Sequence, residues 1–331
     1  MNKLPLVSVC IPTYNSEKYI INTLNNILGQ NYQNIEIIIS DDCSTDNTIQ
    51  KLKSIKNTKI KIYKNRKNLG YGKNLQQFRK YLKGEIIFLI GQDDVIINDD
   101  LKLTIQQFID NPQVGVVTRP YYWFIDNIKI PVRHIPPINS LQNELIDINT
   151  SPEKIIPIIE SLGQLSGLAY KTKWMTRFNE NVFPSHIYPF MKILKNHLCV
   201  FLKDYTIAVS VVTSQTRFKP SIYNNSPLKT WVDMLNKIFP KKTKYHQINK
   251  LSINHMSQHY LGLIQIKNYS SFNNLIREIV YFIKYRWQNI FSPLFWFFAL
   301  GTIITPKCIL IFLVDNYKKN LTSSKLNKIK I

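Results

Sequence analysis

The residues with the clearest chemical potential are the adjacent carboxylates Asp93 and Asp94. They follow the run Glu85 to Ile90, which is apolar after its first residue and is bounded by Gly84 and Gly91. A short apolar run of this kind reads as a strand buried on both faces of a parallel sheet. Acidic residues just beyond the carboxyl end of such a strand lie where open α/β sheets bind ligands. Two neighbouring carboxylates repel each other, so a positive partner stabilises them. A hard divalent cation carrying a diphosphate meets that need with oxygen ligands alone. The plain alternative is a solvated acidic turn.

The elements that would position the pair alternate along the chain. Pro5 to Ile11 is a β-rich run stopped by Pro12-Thr13-Tyr14-Asn15. From Ser16 to Leu28 the apolar residues Tyr19, Ile20, Leu24, Ile27 and Leu28 recur at helical spacing, with Ser16 as N-cap and Gly29 as stop. The strand Ile35 to Ser40 runs into Asp41-Asp42-Cys43-Ser44-Thr45-Asp46, and Asn47 to Ser54 reads as a helix. The strand Lys59 to Tyr63 leads into Asn65 to Asn74 and a helix over Leu75 to Leu82. Strand, polar loop and helix in this order define a doubly wound α/β sheet with its functional loops on one edge.

Four segments carry a family resemblance. Val7 to Asn15, Ile39 to Thr48, Asn68 to Asn74 and Gly91-Gln92-Asp93-Asp94 resemble, in order and spacing, the signatures of family 2 glycosyltransferases. The match covers residues 5 to 125, is weaker from 150 to 215, and then fades. The resemblance implies an α/β GT-A fold: Rossmann-like, mostly parallel, with flanking helices. It also implies inverting transfer from a nucleotide-sugar donor, with a UDP-sugar favoured, to a saccharide or lipid-linked saccharide in surface polysaccharide synthesis. On it, Pro12, Thr13 and Tyr14 offer backbone contacts and an aromatic face to the base. Asp42 accepts from the ring imide of a uracil-type base, Asp41 supports that loop, and Lys73 lies near the nucleotide. Asp94 holds Mg2+ or Mn2+, while Asp93 contacts the ribose or shares the metal. Gln92 departs from the family's acidic Asp-x-Asp pattern, which removes one charge from the metal site. Each assignment has a structural counterpart: packing for Tyr14, helix capping for Asp42, and a solvated helix face for Lys73.

Gln164 to Tyr170 resembles the family's second-half strand with a small-residue turn, and Lys171 to Phe178 reads as a helix. Where the family carries an acidic general base, this chain has Ser185-His186. A histidine accepts a proton near neutrality, so His186 is the first candidate base, with Glu180 and Asp204 as competitors. A histidine beside two prolines is also a common structural residue. The histidines are not read as a zinc site.

The 331 residues, 44% hydrophobic, are enough for one large α/β domain and an appendage, placed at 1–220 and 221–331. Cys10, Cys43, Cys199 and Cys308 show no C-x-x-C spacing, which points to unpaired thiols and a reducing compartment. The first strand begins almost at once, leaving no room for a signal peptide. The formal net charge is +22, and 18 Lys and Arg against 3 Asp and Glu fall after residue 214. That basic region holds the apolar run Ile290 to Thr305 and, beyond Pro306-Lys307, Cys308 to Val314. Lys284, Arg286, Lys318 and Lys319 flank it. Neither half reaches the roughly 20 residues of a spanning helix. The pattern predicts a proline-broken helical pair on an anionic membrane surface, at the inner face of the plasma membrane. A kinked span over 290–314, a buried core helix and a dimer contact stay open, as does a homo-oligomer. Residues 228–239 and 246–287 read as helical.

Two other classes of function remain. A polyanion-binding or nucleic-acid-binding protein is favoured by charge alone, but the ligand loops are acidic and no nucleic-acid motif is present. A catalytically inactive relative acting as a scaffold is favoured by Gln92 and the missing acidic base.

Overall fold

A computed structural model describes residues 4–178, 185–211 and 223–320, apart from the side chains of 317–320. The chain divides into two compact units at Val211/Val212.

The first unit is built on an eight-stranded sheet in the order β3-β2-β1-β4-β10-β6-β11-β9. These strands are β1 Val7–Thr13, β2 Ile35–Asp41, β3 Ile60–Lys64, β4 Ile86–Leu89, β6 Val114–Thr118, β9 Glu144–Ile146, β10 Ala169–Lys171 and β11 Leu198–Phe201. The first four are mutually parallel, so their carboxyl ends open on one edge. β10 inserts antiparallel between β4 and β6, and β9 closes the far edge antiparallel to β11. The sheet is therefore mixed, and the parallel half carries the motif loops. Every residue of β2 is buried, and four of its seven residues are isoleucine, as suits a strand covered on both faces.

Helices flank this sheet. α1 (Ile20–Leu28) buries Ile20, Thr23, Leu24 and Ile27 on one stripe. It starts later than Ser16, whose carbonyl instead accepts from the amides of Tyr19 and Ile20. α2 (Thr48–Ser54) follows β2, and α3 (Tyr71–Gln77) follows β3. α4 (Asp100–Asp110) buries Leu101, Ile105 and Phe108. A second, four-stranded sheet runs β5-β12-β7-β8, with β5 Val95–Ile96, β7 Tyr121–Phe124, β8 Arg133–Ile135 and β12 Ile207–Ser210. α5 (Ile155–Ser161) and α6 (Ile187–Leu194) complete the unit. The helix expected over Lys171 to Phe178 does not form. Lys171 continues β10 against Ile86, and only a 3-10 turn, Thr172–Trp174, follows.

The second unit is helical: α7 Pro227–Ile238, α8 His246–Met256, α9 Leu261–Tyr269, α10 Phe272–Tyr285, α11 Pro293–Ile304 and α12 Lys307–Asn320. The stretch 246–287 is thus helical as expected, in successive helices. Ser271 caps α10 by accepting from the Asn274 amide at 3.3 Å. The apolar run 290–314 breaks at Thr305-Pro306. α11 buries Phe295, Ala299 and Thr302 on one face, where Phe295 meets the rings of Tyr260 and Phe282. Leu294, Phe297, Leu300 and Ile304 remain exposed on that helix, as do Trp287 and Phe291 before it and Ile309, Phe312 and Leu313 after it. Among the described residues no helix is long and apolar enough to cross a membrane.

Candidate active site

Four loops at the carboxyl ends of β1 to β4 are latched to one another by named bonds. The β1 loop joins the β2 loop through Asn15, whose amide donates to Ser44 Oγ at 2.9 Å and whose Oδ1 accepts from the Thr45 amide at 2.9 Å. Asn15 adopts a left-handed backbone, φ 50°, a conformation asparagine tolerates better than most residues. Asp41, fully buried, accepts from both the amide and the hydroxyl of Ser44 and so fixes the β2 turn. Asp46 rather than Asp42 caps α2, accepting from the Thr48 amide at 3.0 Å.

Asp42 is buried and ties the β2 loop to the β3 loop. Its Oδ1 accepts from the Leu69 amide at 2.7 Å and from Asn65 Nδ2 at 3.0 Å, and its Oδ2 from the Gly70 amide at 2.8 Å. Asn74, also buried, exchanges bonds with the Ser40 hydroxyl and carbonyl at 2.6 and 2.9 Å and accepts from Asn65 at 2.9 Å. Lys73 beside it is exposed on α3. Pro12 and Tyr14 are half-buried and Thr13 is buried; the Thr13 carbonyl accepts from the Asp42 amide at 2.8 Å.

The β4 loop holds the carboxylate pair. Asp94 is 6% exposed. Its Oδ2 accepts from the Ser166 hydroxyl, and its Oδ1 from the Ser210 amide at 2.9 Å. Ser166 in turn accepts from the Gly91 amide at 2.7 Å. Gly91 is obligatory here, since a Cβ would sit 2.5 Å from Asp94 Oδ2. Burial, then the neighbouring Asp93 charge, push the Asp94 carboxyl up to about 8, against the pull of Ser166 and Ser210. A buried carboxylate raised by its acidic neighbour is a site that a cation would stabilise. Each Asp94 oxygen carries one protein donor and keeps a second lone pair, so the hard oxygen set fits Mg2+ or Mn2+. Asp93 is half-exposed.

Gln92 is not aimed at a metal. Its Oε1 accepts from the Tyr14 amide at 2.8 Å, and its Nε2 donates to the Tyr14 carbonyl at 3.2 Å. Only an amide does both, which accounts for the departure from the acidic pattern.

Beneath this edge, Arg119 and Asp100 form a buried ion pair, with Thr104 and Thr206 bonded into it. Gly167, at φ +86°, brings its backbone onto Arg119; a Cβ there would meet Arg119 Nε at 2.8 Å. The pair therefore supports the Ser166-Gly167 turn that holds Asp94.

The acceptor half departs most from expectation. His186 is 3% exposed. Its Nε2 bonds the Leu162 carbonyl at 3.0 Å and its Nδ1 the Tyr71 hydroxyl at 2.6 Å. The carbonyl can only accept, so Nε2 carries the proton and Nδ1 accepts from Tyr71. Burial pushes the imidazole down to about 4. Both ring nitrogens are committed, so an acceptor hydroxyl could reach Nδ1 only by displacing Tyr71. Glu180 lies outside the described residues. Asp204 is exposed beyond the carboxyl end of β11.

Sequence reasoning did not assign Ser166, Ser210, Asn15, Asn74 or Arg119. Ser166-Gly167 carried a signal in its small-residue turn, whereas Ser210 acts through its backbone amide and carried none.

Comparison with known proteins agrees with this geometry. The family model for Glycosyl transferase family 2 matches residues 8–162, the segment that holds all four loops. This region is a family 2 glycosyltransferase domain, and the first unit has the GT-A-like α/β architecture. A solved structure of Staphylococcus aureus TarS 1-349 with UDP-GlcNAc superposes with TM-score 0.62 at 19% identity, over 94% of this chain and 89% of that one. The mannosyltransferase PcManGT of Pyrobaculum calidifontis, with GDP-Man and Mn2+, gives TM-score 0.53 at 15% identity, over 92% and 87%. In sequence, TarS, a poly(ribitol-phosphate) beta-N-acetylglucosaminyltransferase, is 37% identical over 29% of this chain and 17% of its own length. WfgD of Escherichia coli, a UDP-Glc:alpha-D-GlcNAc-diphosphoundecaprenol beta-1,3-glucosyltransferase, is 29% identical over 43% of this chain and 55% of its own.

Proposed function

We propose that this protein is an inverting glycosyltransferase that moves a sugar from a nucleotide-sugar donor, a UDP-sugar by preference, to a hydroxyl of a saccharide acceptor in surface polysaccharide synthesis. The observation that carries the reading is the latching of the β1, β2, β3 and β4 loops around Asp42 and Asp94. The loop of Pro12, Thr13 and Tyr14 faces the base, Asp42 keeps the β3 loop in place and offers a carboxylate edge, and Lys73 adds positive charge at the rim. Asp94, with Asp93, would hold Mg2+ or Mn2+; when bound, such a cation neutralises charge on the diphosphate leaving group. Ser166 and Ser210 orient the Asp94 carboxylate, and the Arg119–Asp100 pair keeps the Ser166 turn rigid. A base takes the acceptor proton as that oxygen attacks the anomeric carbon from the face opposite the diphosphate, so configuration inverts in one displacement. With both nitrogens of His186 engaged, that base is a carboxylate, Glu180 or Asp204, and His186 positions Tyr71 and the Leu162 turn.

The acceptors named for TarS and WfgD both carry phosphate, as a ribitol-phosphate polymer and as a diphospholipid, and the same class is proposed here. The exposed apolar residues of α11 and α12, with the basic excess of the second unit, support binding to an anionic membrane at its inner face. A panel of UDP-, GDP- and dTDP-sugars, tested for hydrolysis and transfer with and without Mn2+, tests the proposal. Metal-stimulated turnover of at least one donor is expected; no turnover of any donor would favour the scaffold alternative.

A further inference from the structure

Across the β7–β8 hairpin, Trp123 and Arg133 are paired residues. The Arg133 guanidinium lies over the Trp123 ring, 3.6 Å from its centroid. Trp123 is buried and Arg133 is exposed. Among the described residues no carboxylate pairs with Arg133 and no hydrogen bond engages it. Its planar fork therefore rests against the ring, and its N–H donors meet no acceptor among the described residues. Among the described residues, every other cation–π partner of the first unit is a lysine or the buried Arg119.

This cation belongs to the catalytic edge. Tyr121 shares the face of β7 with Trp123, and their ring centroids are 4.8 Å apart. A Cβ on Gly163 would sit 3.2 Å from the Tyr121 hydroxyl, three residues before Ser166. Burial pushes the Tyr121 phenol up, Arg133 pulls it back, and Asp94 adds to the rise. Tyr121 thus stands within electrostatic reach of both Arg133 and Asp94. On the neighbouring strand β12, Ser210 pairs with Phe124 and donates to Asp94. The nucleotide loops follow β1 to β4 of the first sheet, whereas Arg133 is on β8 of the second.

We propose that Arg133, stacked on Trp123, is a subsite for a phosphate group of the acceptor. The proposal rests on the glycosyltransferase reading and deepens it. A guanidinium fork matches the oxygens of a phosphate, and a partner stacked on an aromatic ring loses little freedom when it binds. The phosphate belongs either to a diphosphate link on a lipid carrier or to a phosphodiester in a polymer.

The test uses the full chain and two probes, inorganic pyrophosphate and dimethyl phosphate, followed by 31P line broadening with and without saturating UDP. Pyrophosphate binding should persist under UDP in the wild type and in Lys129→Gln, an exposed charge on the same hairpin. In Arg133→Gln it should weaken by roughly tenfold, with UDP affinity and thermal midpoint unchanged. Arg133→Lys should fall between the two, because charge alone does not replace the fork. Binding of pyrophosphate alone identifies a diphosphate link; binding of both probes identifies a phosphodiester. Equal pyrophosphate affinity in Arg133→Gln and wild type would overturn the proposal. A matching loss of UDP affinity would also overturn it, because Arg133 would then serve the donor. If the wild type bound no UDP, the glycosyltransferase reading would fall, while the Arg133 comparison without nucleotide would still decide the subsite.

Discussion

The side-chain amide of Gln92 closes both backbone groups of Tyr14, accepting from its amide at 2.8 Å and donating to its carbonyl at 3.2 Å. This bond pair joins the Pro12–Tyr14 loop to the loop that holds Asp94, so in the proposed function the two halves of the donor site move as one. Each net bond is worth about 0.5–1.5 kcal/mol. Gln92→Ala should therefore weaken UDP binding by roughly five- to a hundredfold. Gln92→Glu keeps the acceptor but sets a carboxylate against the Tyr14 carbonyl, so it should also weaken binding despite restoring the family's acidic residue. Calorimetry decides this: tighter UDP binding in Gln92→Glu would show that position 92 serves the metal instead.

Asp42→Ala removes the acceptor for Asn65 and for the amides of Leu69 and Gly70. Hydrogen bonds to a charged group are worth about 1.5–3 kcal/mol, and the loss here should appear both as weaker UDP binding and as faster proteolysis of the β3 loop. A variant with unchanged UDP affinity and a clipped loop would restrict Asp42 to an architectural role.

His186 provides a pH test with a definite sign. Its folded pKa is depressed to about 4, against about 6.5 in an unfolded chain. Between those values the unfolded state binds the extra proton, so stability falls as pH drops from 6.5 towards 4, by roughly 3 kcal/mol over the full window. His186→Gln should lose this part of the pH dependence, measured as urea midpoints at pH 7 and pH 5. An identical pH dependence in both proteins would contradict the buried, neutral ring. In transfer assays His186→Gln should retain much more activity than Glu180→Gln or Asp204→Asn, whichever carries the base; a loss of about 10²–10⁴ in His186→Gln with unchanged donor affinity would return the base to His186.

Membrane binding should be tested on the exposed face of α11, not by truncation. Deleting residues 288 to 331 would also remove the fully buried Phe295 and Ala299 and uncover Tyr260 and Phe282. The triple variant Phe297→Ser, Leu300→Ser, Ile304→Ser alters only exposed residues. It should abolish flotation with anionic liposomes while leaving donor hydrolysis and the thermal midpoint near wild type. Flotation equal to wild type would remove α11 as the contact.

Much of the donor half could be read from sequence for a physical reason. Strands buried on both faces, such as Ile86–Leu89, leave unbroken apolar runs, and the polar loops between them stand out. Lys171 to Phe178 misled because its first residue, Lys171, pairs with Ile86 in β10 and only the 3-10 turn Thr172–Trp174 follows. The helical reading of 246–287 holds, with helix ends at Ser257 and Ser270 that the apolar periodicity does not mark. Asp42 and Asp94 were legible as types at a spacing. Their partners were not: the Leu69, Gly70 and Ser210 amides belong to the backbone, which has no residue-type signature. His186 was legible as a titratable residue in a loop, but its burial against Leu162 and Tyr71 was not.

The central claim is that Asp94 anchors a metal-dependent nucleotide-sugar site. Titration of UDP into the wild type and Asp94→Asn, each with and without Mn2+, tests it most directly. Asparagine keeps the shape and an acceptor for Ser210 but removes the charge. The account predicts that Mn2+ tightens UDP binding to the wild type by at least about tenfold, in line with one charge-assisted contact, and that Asp94→Asn loses this enhancement while its thermal midpoint holds. Equal Mn2+ enhancement in the two proteins would contradict it.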